Sequence, residues 1–129
     1  MPLIYCITNG NKKIHPNNQR ILAAFKHQFG DEFQIYNSSD SATALGFIHS
    51  LQGACTHLIG VGGDGTFNVL VNGVCSHPDP SFQPILGVLP NGTGNDFFRS
   101  AGFNKNYNFL TNIEEGSFER FDVGVLETN

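Results

Sequence analysis

The chain has 129 residues and a net charge of −4, with 40% hydrophobic and 14% charged residues. That size fits one domain with a sizeable core, and seven Lys and Arg are too few for the basic face of a nucleic-acid binder. The same shortage excludes strong electrostatic attachment to anionic lipid, and no apolar run approaches the ~20 residues that span a bilayer.

Residues 3–8 predict a first strand, followed by a polar turn over 9–13. Pro16 suits the first turn of a helix, where its missing N–H costs nothing. Ile21, Leu22, Phe25 and Phe29 form its apolar stripe, and Gly30 stops it. Residues 32–36 predict a second strand. Ser38, Ser39, Asp40 and Ser41 offer N-caps for a helix that turns Leu45, Ile48 and Leu51 inward, with Gly53 beyond its end. A third strand over 57–61 runs into a glycine-rich turn. Phe67, Leu70, Val71 and Val74 then stand at i, i+3, i+4 and i+7, the spacing of an amphipathic helix. His77-Pro78-Asp79-Pro80 breaks the chain before a fourth strand over 85–89. A second glycine-rich turn opens a short helix capped by Asn95 or Asp96. Another helix is expected over 107–115 and a further strand over 118–126.

Strands alternating with helices predict an α/β fold: a three-layer, Rossmann-like, mostly parallel sheet with helices on both faces. Three scattered cysteines without a CxxC, Cys6, Cys55 and Cys75, predict reduced thiols in a cytoplasmic protein. The N-terminus has no basic region followed by an apolar one, so export is not expected. His15, His27, His49, His57 and His77 show no metal-ligand spacing.

The chemistry is concentrated in the two turns, Gly60-Val61-Gly62-Gly63-Asp64-Gly65-Thr66 and Pro90-Asn91-Gly92-Thr93-Gly94-Asn95-Asp96. Each follows a buried-strand pattern and leads into a helix. Glycine lets backbone approach a ligand closely, and N–H groups at a helix start attract phosphate. In parallel α/β sheets both turns fall at the carboxyl edge, where ligands bind. Gly60, Gly62 and Gly65 satisfy the dinucleotide pattern G-x-G-x-x-G, but they follow two βα units instead of opening the first. Asp64 would also set a carboxylate against an uncompensated pyrophosphate. No G-x-x-x-x-G-K-[ST] exists, which excludes a P-loop. Asp64 makes sense if the phosphates arrive with Mg²⁺, or if a substrate hydroxyl must lose its proton. Thr66 and Thr93 hydroxyls suit phosphate oxygens, and Lys12 and Lys13 suit their charge. Structural readings also stand: Asp64 as a turn former, Thr66 and Asp96 as caps, Asp122 as a solvated acid. Phe97, Phe98 and Phe103 suit either a core or an apolar substrate cleft.

The stretch Gly-Gly-Asp-Gly-Thr-Phe-Asn-Val-Leu-Val-Asn-Gly (62–73), followed by Leu-Pro-Asn-Gly-Thr-Gly-Asn-Asp-Phe (89–97), resembles the diacylglycerol kinase catalytic domain. That family takes in bacterial soluble lipid kinases and the sphingosine and ceramide kinases. Arg120-Phe121-Asp122-Val123-Gly124 resembles the family's passage out of its nucleotide-binding lobe. The resemblance implies an ATP- and Mg²⁺-dependent kinase that phosphorylates a lipid hydroxyl, meeting its lipid transiently at a membrane surface from the cytoplasm. By this resemblance Gly62, Gly63, Asp64, Gly65, Thr66 and Asn68 belong to the ATP-phosphate loop, with Thr93 near the nucleotide. Asn9 and Lys12 stand where the family prefers Asn-Pro-x-Ser-Gly-Lys, with Pro and Ser absent here, and Asn37 or Ser38 where it carries threonine. Asp64 and Asp96 are the implied catalytic carboxylates, and Asp64 and Asp122 the implied metal ligands. Residues 1–129 would form the nucleotide-binding lobe, without the family's C-terminal β-sandwich lobe, either cut after the first lobe or naturally short. A homodimer stays open. GGDG alone is shared with NAD kinases and phosphofructokinases, so a kinase for a soluble hydroxyl remains an alternative, as does a non-catalytic nucleotide-binding module.

Overall fold

Four strands and three helices alternate along residues 3–91, the part of the chain that the computed structural model describes. In chain order they are β1 (Ile4–Asn9), α1 (Pro16–Phe29), a 3₁₀ turn (Gly30–Glu32), β2 (Phe33–Ser38), α2 (Ser41–Ser50), β3 (His57–Gly62), α3 (Asp64–Cys75) and β4 (Ile85–Pro90). All three strand pairings are parallel, in the order β2-β1-β3-β4. The short helix, helix and strand expected beyond the second glycine-rich turn lie outside the described residues.

Strand side chains alternate between two cores, as a pleated sheet covered on both faces requires. Ile4, Cys6, Phe33, Ile59, Val61 and Leu89 pack with Leu22 and Phe25 of α1 on one face. Ile7, Leu58 and Phe82 pack with Ala44 and Ile48 of α2 and Leu70 of α3 on the other. This is the expected three-layer α/β arrangement. Phe25 sits in a row of rings, 5.9 Å from Phe29 and 5.3 Å from Phe33. Each buried ring of this kind contributes about 2–3 kcal/mol through apolar burial.

Local chemistry sets the helix ends. Pro16 begins α1, the His15 ring accepts the Asn17 N–H at 3.1 Å, and Gly30 ends the helix at φ 58°. Among the cap candidates of α2 the structure selects Asp40, whose carboxylate accepts the Thr43 N–H at 2.7 Å. The Thr43 backbone donor, and then its hydroxyl, hold that carboxyl below its usual range. Thr66 does not cap α3. Gly63 is the N-cap, and Thr66 lies within the first turn.

Two stripes differ from the periodicity reading. In α2, Ala44 and Ile48 are buried while Leu45 is half-buried, and in α3 the buried residues are Leu70 and Gly73 while Phe67 and Val71 are half-buried. The reason is the α2–α3 contact, which hydrophobic periodicity does not register because one partner is a glycine. A Cβ at Gly73 would stand 2.7 Å from Ile48 Cδ1 and 2.9 Å from its Cγ2.

Two helix glycines should therefore respond oppositely to substitution. Gly73→Val overpacks the fully buried Ile48 and is expected to lower stability by about 1–3 kcal/mol. Gly46→Ala, where an added Cβ meets nothing within 4 Å, is expected to raise it by about 0.5–1 kcal/mol. Urea midpoints at unchanged m-value measure both.

Candidate functional site

The strand order creates a crevice. From β1 the chain moves outward to β2, then crosses back over β1 to β3. The connections leaving β1 and β3 therefore diverge, and the carboxyl ends of these neighbours open a cleft between them. Asn9, Lys12 and Ile14 line it from the β1 side, Val61, Gly62, Gly63 and Thr66 from the β3 side, and Asn91 from the end of β4.

Helix α3 reaches this cleft because two glycines let it lie directly on β3. A Cβ at Gly60 would stand 2.6 Å from Thr66 Cγ2, and one at Gly62 would fall onto Thr66 Oγ1. The Thr66 methyl and hydroxyl thus occupy the space that side chains at 60 and 62 would need. The first-turn N–H groups of a helix have no intrahelical partners, and Gly63 brings no side chain to cap them. Together with the helix dipole they make the cleft attractive to an anion.

The loop after β1 is shaped by polar bonds to the end of β2. Asn9 Oδ1 accepts the Asn11 N–H at 2.9 Å, the Gly10 N–H donates to the Ser38 carbonyl at 2.9 Å, and Asn11 Nδ2 donates to the Ser39 carbonyl at 2.9 Å. Proline at position 10 would have no N–H to donate there, so the departure from Asn-Pro-x-Ser-Gly-Lys has a local physical reason. Below the loop, the buried Thr8 hydroxyl donates to Asn37 Oδ1 and the Ser38 hydroxyl to the Thr8 carbonyl.

The expected site residues divide accordingly. Asn9, Lys12, Gly62, Gly63 and Thr66 meet around the cleft. Asp64 opens α3 immediately after Gly63, and Gly65 follows it, exposed. Asn68 is exposed on α3 outside the lining, and Asn37 is bound to Thr8 at the end of β2, also outside it. Thr93, Asp96 and Asp122 lie outside the described residues. Among the described residues no three His, Cys, Asp or Glu side chains gather into a metal cluster. The residue types here nevertheless fit a hard cation, because the Thr66 hydroxyl lines the cleft and aspartate, the residue that opens α3, is an oxygen donor of the type Mg²⁺ takes.

One residue at this edge escaped the sequence reading, and another was read only as part of the second glycine-rich turn. Asn18 is buried in α1 and Asn91 directly follows β4; their side chains bond to each other, and that of Asn91 also bonds the loop that carries Lys12. The one signal for Asn18 in the sequence was its place as a polar residue inside the inward face of α1, four residues before Leu22.

Comparison with known proteins agrees with this geometry. A family model described as the diacylglycerol kinase catalytic domain matches residues 3–126. The chain is 38% identical over 72 residues to a diacylglycerol kinase of Staphylococcus saprophyticus, covering 55% of this chain and 23% of that one. It is 44% identical over 70 residues to a diacylglycerol kinase of Staphylococcus aureus strain Newman, covering 54% and 21%. A solved structure of a diacylglycerol kinase from Bacillus anthracis strain Sterne matches with a TM-score of 0.64 at 27% identity, covering 80% of this chain and 38% of that one. The matched stretches are under a quarter of either curated relative.

The cysteines stand apart from the cleft lining. Burial pushes the Cys6 thiol up to about 12 and the Cys55 thiol up to about 11, so both stay protonated near neutral pH. Cys75 is exposed at the end of α3. A thiol reagent at pH 8 is expected to modify Cys75 in the folded protein, and Cys6 and Cys55 only after denaturation. Mass spectrometry of labelled peptides checks this; native labelling of Cys6 would contradict its burial.

Proposed function

The chain belongs to the diacylglycerol kinase catalytic domain family, and on that basis we propose that residues 1–129 form the nucleotide-binding lobe of an ATP-dependent lipid kinase. The observation that carries this reading is the convergence of the Gly63-capped start of α3, Thr66 and Lys12 on one cleft between β1 and β3. A triphosphate tail matches these donors: backbone N–H groups, a hydroxyl and an ammonium. The acceptor class, a diacylglycerol-like hydroxyl, follows the names of the relatives, and a long-chain-base hydroxyl follows the resemblance to the sphingosine kinases. The lipid would be met transiently at a membrane surface, and no helix among the described residues is long and apolar enough to cross a membrane.

Phosphoryl transfer is mostly positioning and charge stabilisation. In the proposed reaction the lipid hydroxyl oxygen bonds to the γ-phosphorus while the bond from that phosphorus to the β–γ bridging oxygen breaks, and ADP leaves. The hydroxyl proton passes to a carboxylate, for which Asp64 stands at the start of α3, with Asp96 as its expected partner. Lys12 balances phosphate charge from the β1 side, while the α3 N–H groups and Thr66 hold the oxygens from the β3 side. Asp64 and Asp122 would hold Mg²⁺, whose charge offsets that of the transferring group.

Gly62→Ala should weaken ATP binding by about tenfold or more, because its methyl displaces the Thr66 hydroxyl and costs a charge-assisted hydrogen bond. Thr66→Ala should weaken it less, since the backbone donors remain. Asp64→Asn, introduced into the protein at the full length of its relatives, should retain ATP binding and lose at least about 100-fold in phosphoryl transfer to lipid. Calorimetry and labelled-lipid assays read these outcomes. Undiminished transfer by Asp64→Asn would remove that carboxylate from the mechanism. Labelling of a soluble acceptor instead would favour the NAD-kinase-like alternative, and ATP binding without transfer by the full-length protein would favour a non-catalytic module.

A further inference from the structure

Lys12 sits on an irregular loop, so something must hold its charge over the cleft. Within the loop, one backbone bond does so, from the Lys12 N–H to the Asn9 carbonyl at 3.1 Å. Its far side is gripped by a residue 78 positions away. Asn91 Nδ2 donates to the Lys13 carbonyl at 3.0 Å, and Asn91 Oδ1 accepts the His15 N–H at 2.8 Å. The buried Asn18 side chain, in the first turns of α1, donates to the same oxygen at 3.2 Å and to the Pro90 carbonyl at 2.9 Å. The Asn91 backbone N–H donates to the Gly62 carbonyl at 2.9 Å. One side chain therefore uses its donor and its acceptor on the loop, while its own backbone is anchored to the rim that carries the first glycine-rich turn.

From this geometry we infer that Asn91 is a positioning residue, which clamps residues 13–15 to the end of β3 and thereby sets Lys12 across the cleft from Gly63 and Thr66. The amide is suited to this task because it presents a donor and an acceptor on one planar group. Aspartate offers no donor for the Lys13 carbonyl, and leucine offers neither bond. Asn18 orients the amide by fixing which of its ends is the acceptor. The clamp also joins the two glycine-rich turns, since Asn91 belongs to the second and bonds the backbone of the first. The role in nucleotide binding rests on the function proposed above, whereas the clamp itself does not.

The test has two arms, both on the full chain. Without nucleotide, amide hydrogen exchange compares the wild type with Asn91→Ala. The His15 amide, whose N–H donates to Asn91 Oδ1, should exchange at least about tenfold faster in the variant, having lost its acceptor, while β1 and β3 amides keep their protection. With ATP, calorimetry compares Asn91→Ala, Lys12→Met and the double variant. Each single substitution should weaken binding about tenfold, and the double should be no weaker than Lys12→Met alone, because Asn91 acts through Lys12. Asn91→Leu, which removes both bonds, serves as a second variant should alanine fail to fold, with faster His15 exchange again expected. Unchanged exchange of the His15 amide would overturn the clamp, and additive losses in the double variant would overturn its action through Lys12. If the wild type binds no ATP, the nucleotide reading fails, and the exchange arm still decides the clamp.

Discussion

Helix α3 lies against strand β3 where the strand has no side chain, at Gly60 and Gly62, and the character of the cleft follows from that contact. Gly60 and Gly62 leave room only for Thr66 and Leu70. Any residue with a Cβ would lift the helix from the sheet, turn its first N–H groups toward bulk water and displace the Thr66 hydroxyl. An anion at such a lifted terminus would gain little, because exposed dipoles are screened. Close approach, not the glycine pattern as such, is what would let the terminus serve the function proposed above.

The interior and the carboxyl edge are held by different forces. Two apolar layers stabilise the sheet, with α1 on one face and α2 and α3 on the other. The edge is held by individual hydrogen bonds: Thr8 with Asn37 and Ser38, Gly10 and Asn11 with the chain after β2, and Asn91 with the chain before α1. Each such bond is worth about 1 kcal/mol net, far less than the burial of the core. The edge can therefore vary in sequence without altering the fold. Gly10 illustrates this, since its N–H makes a bond to Ser38 that the family's preferred proline cannot make.

Charge is deployed locally. A chain of net charge −4 does not attract a polyphosphate by its overall field. In the function proposed above, the attraction would come from oriented backbone dipoles at α3 and from Lys12, both at the cleft. The placement of Lys12 thus matters more than the number of basic residues, and a short polar loop tied at both ends is a means of placing it.

Much of this was legible in the residues themselves. Pro16, the spacing of Leu22 and Phe25, and Gly30 marked α1 almost to the residue, because capping and periodicity are local properties of a helix. Alternation of strands and helices implied a parallel, two-faced sheet, and the glycine-rich turn after the third strand was expected at its carboxyl edge, where the cleft lies. The family resemblance rested on the same two motifs. Strand order, the neighbour that buries Gly73 and the bonds of Asn91 were decided only in three dimensions. They join positions far apart in the chain, and hydrophobic periodicity is blind both to a glycine packed against Ile48 and to an amide that finds its partners 76 and 78 residues away. Local chemistry specified the parts of the cleft; the packing of β3 between β1 and β4 brought those parts together.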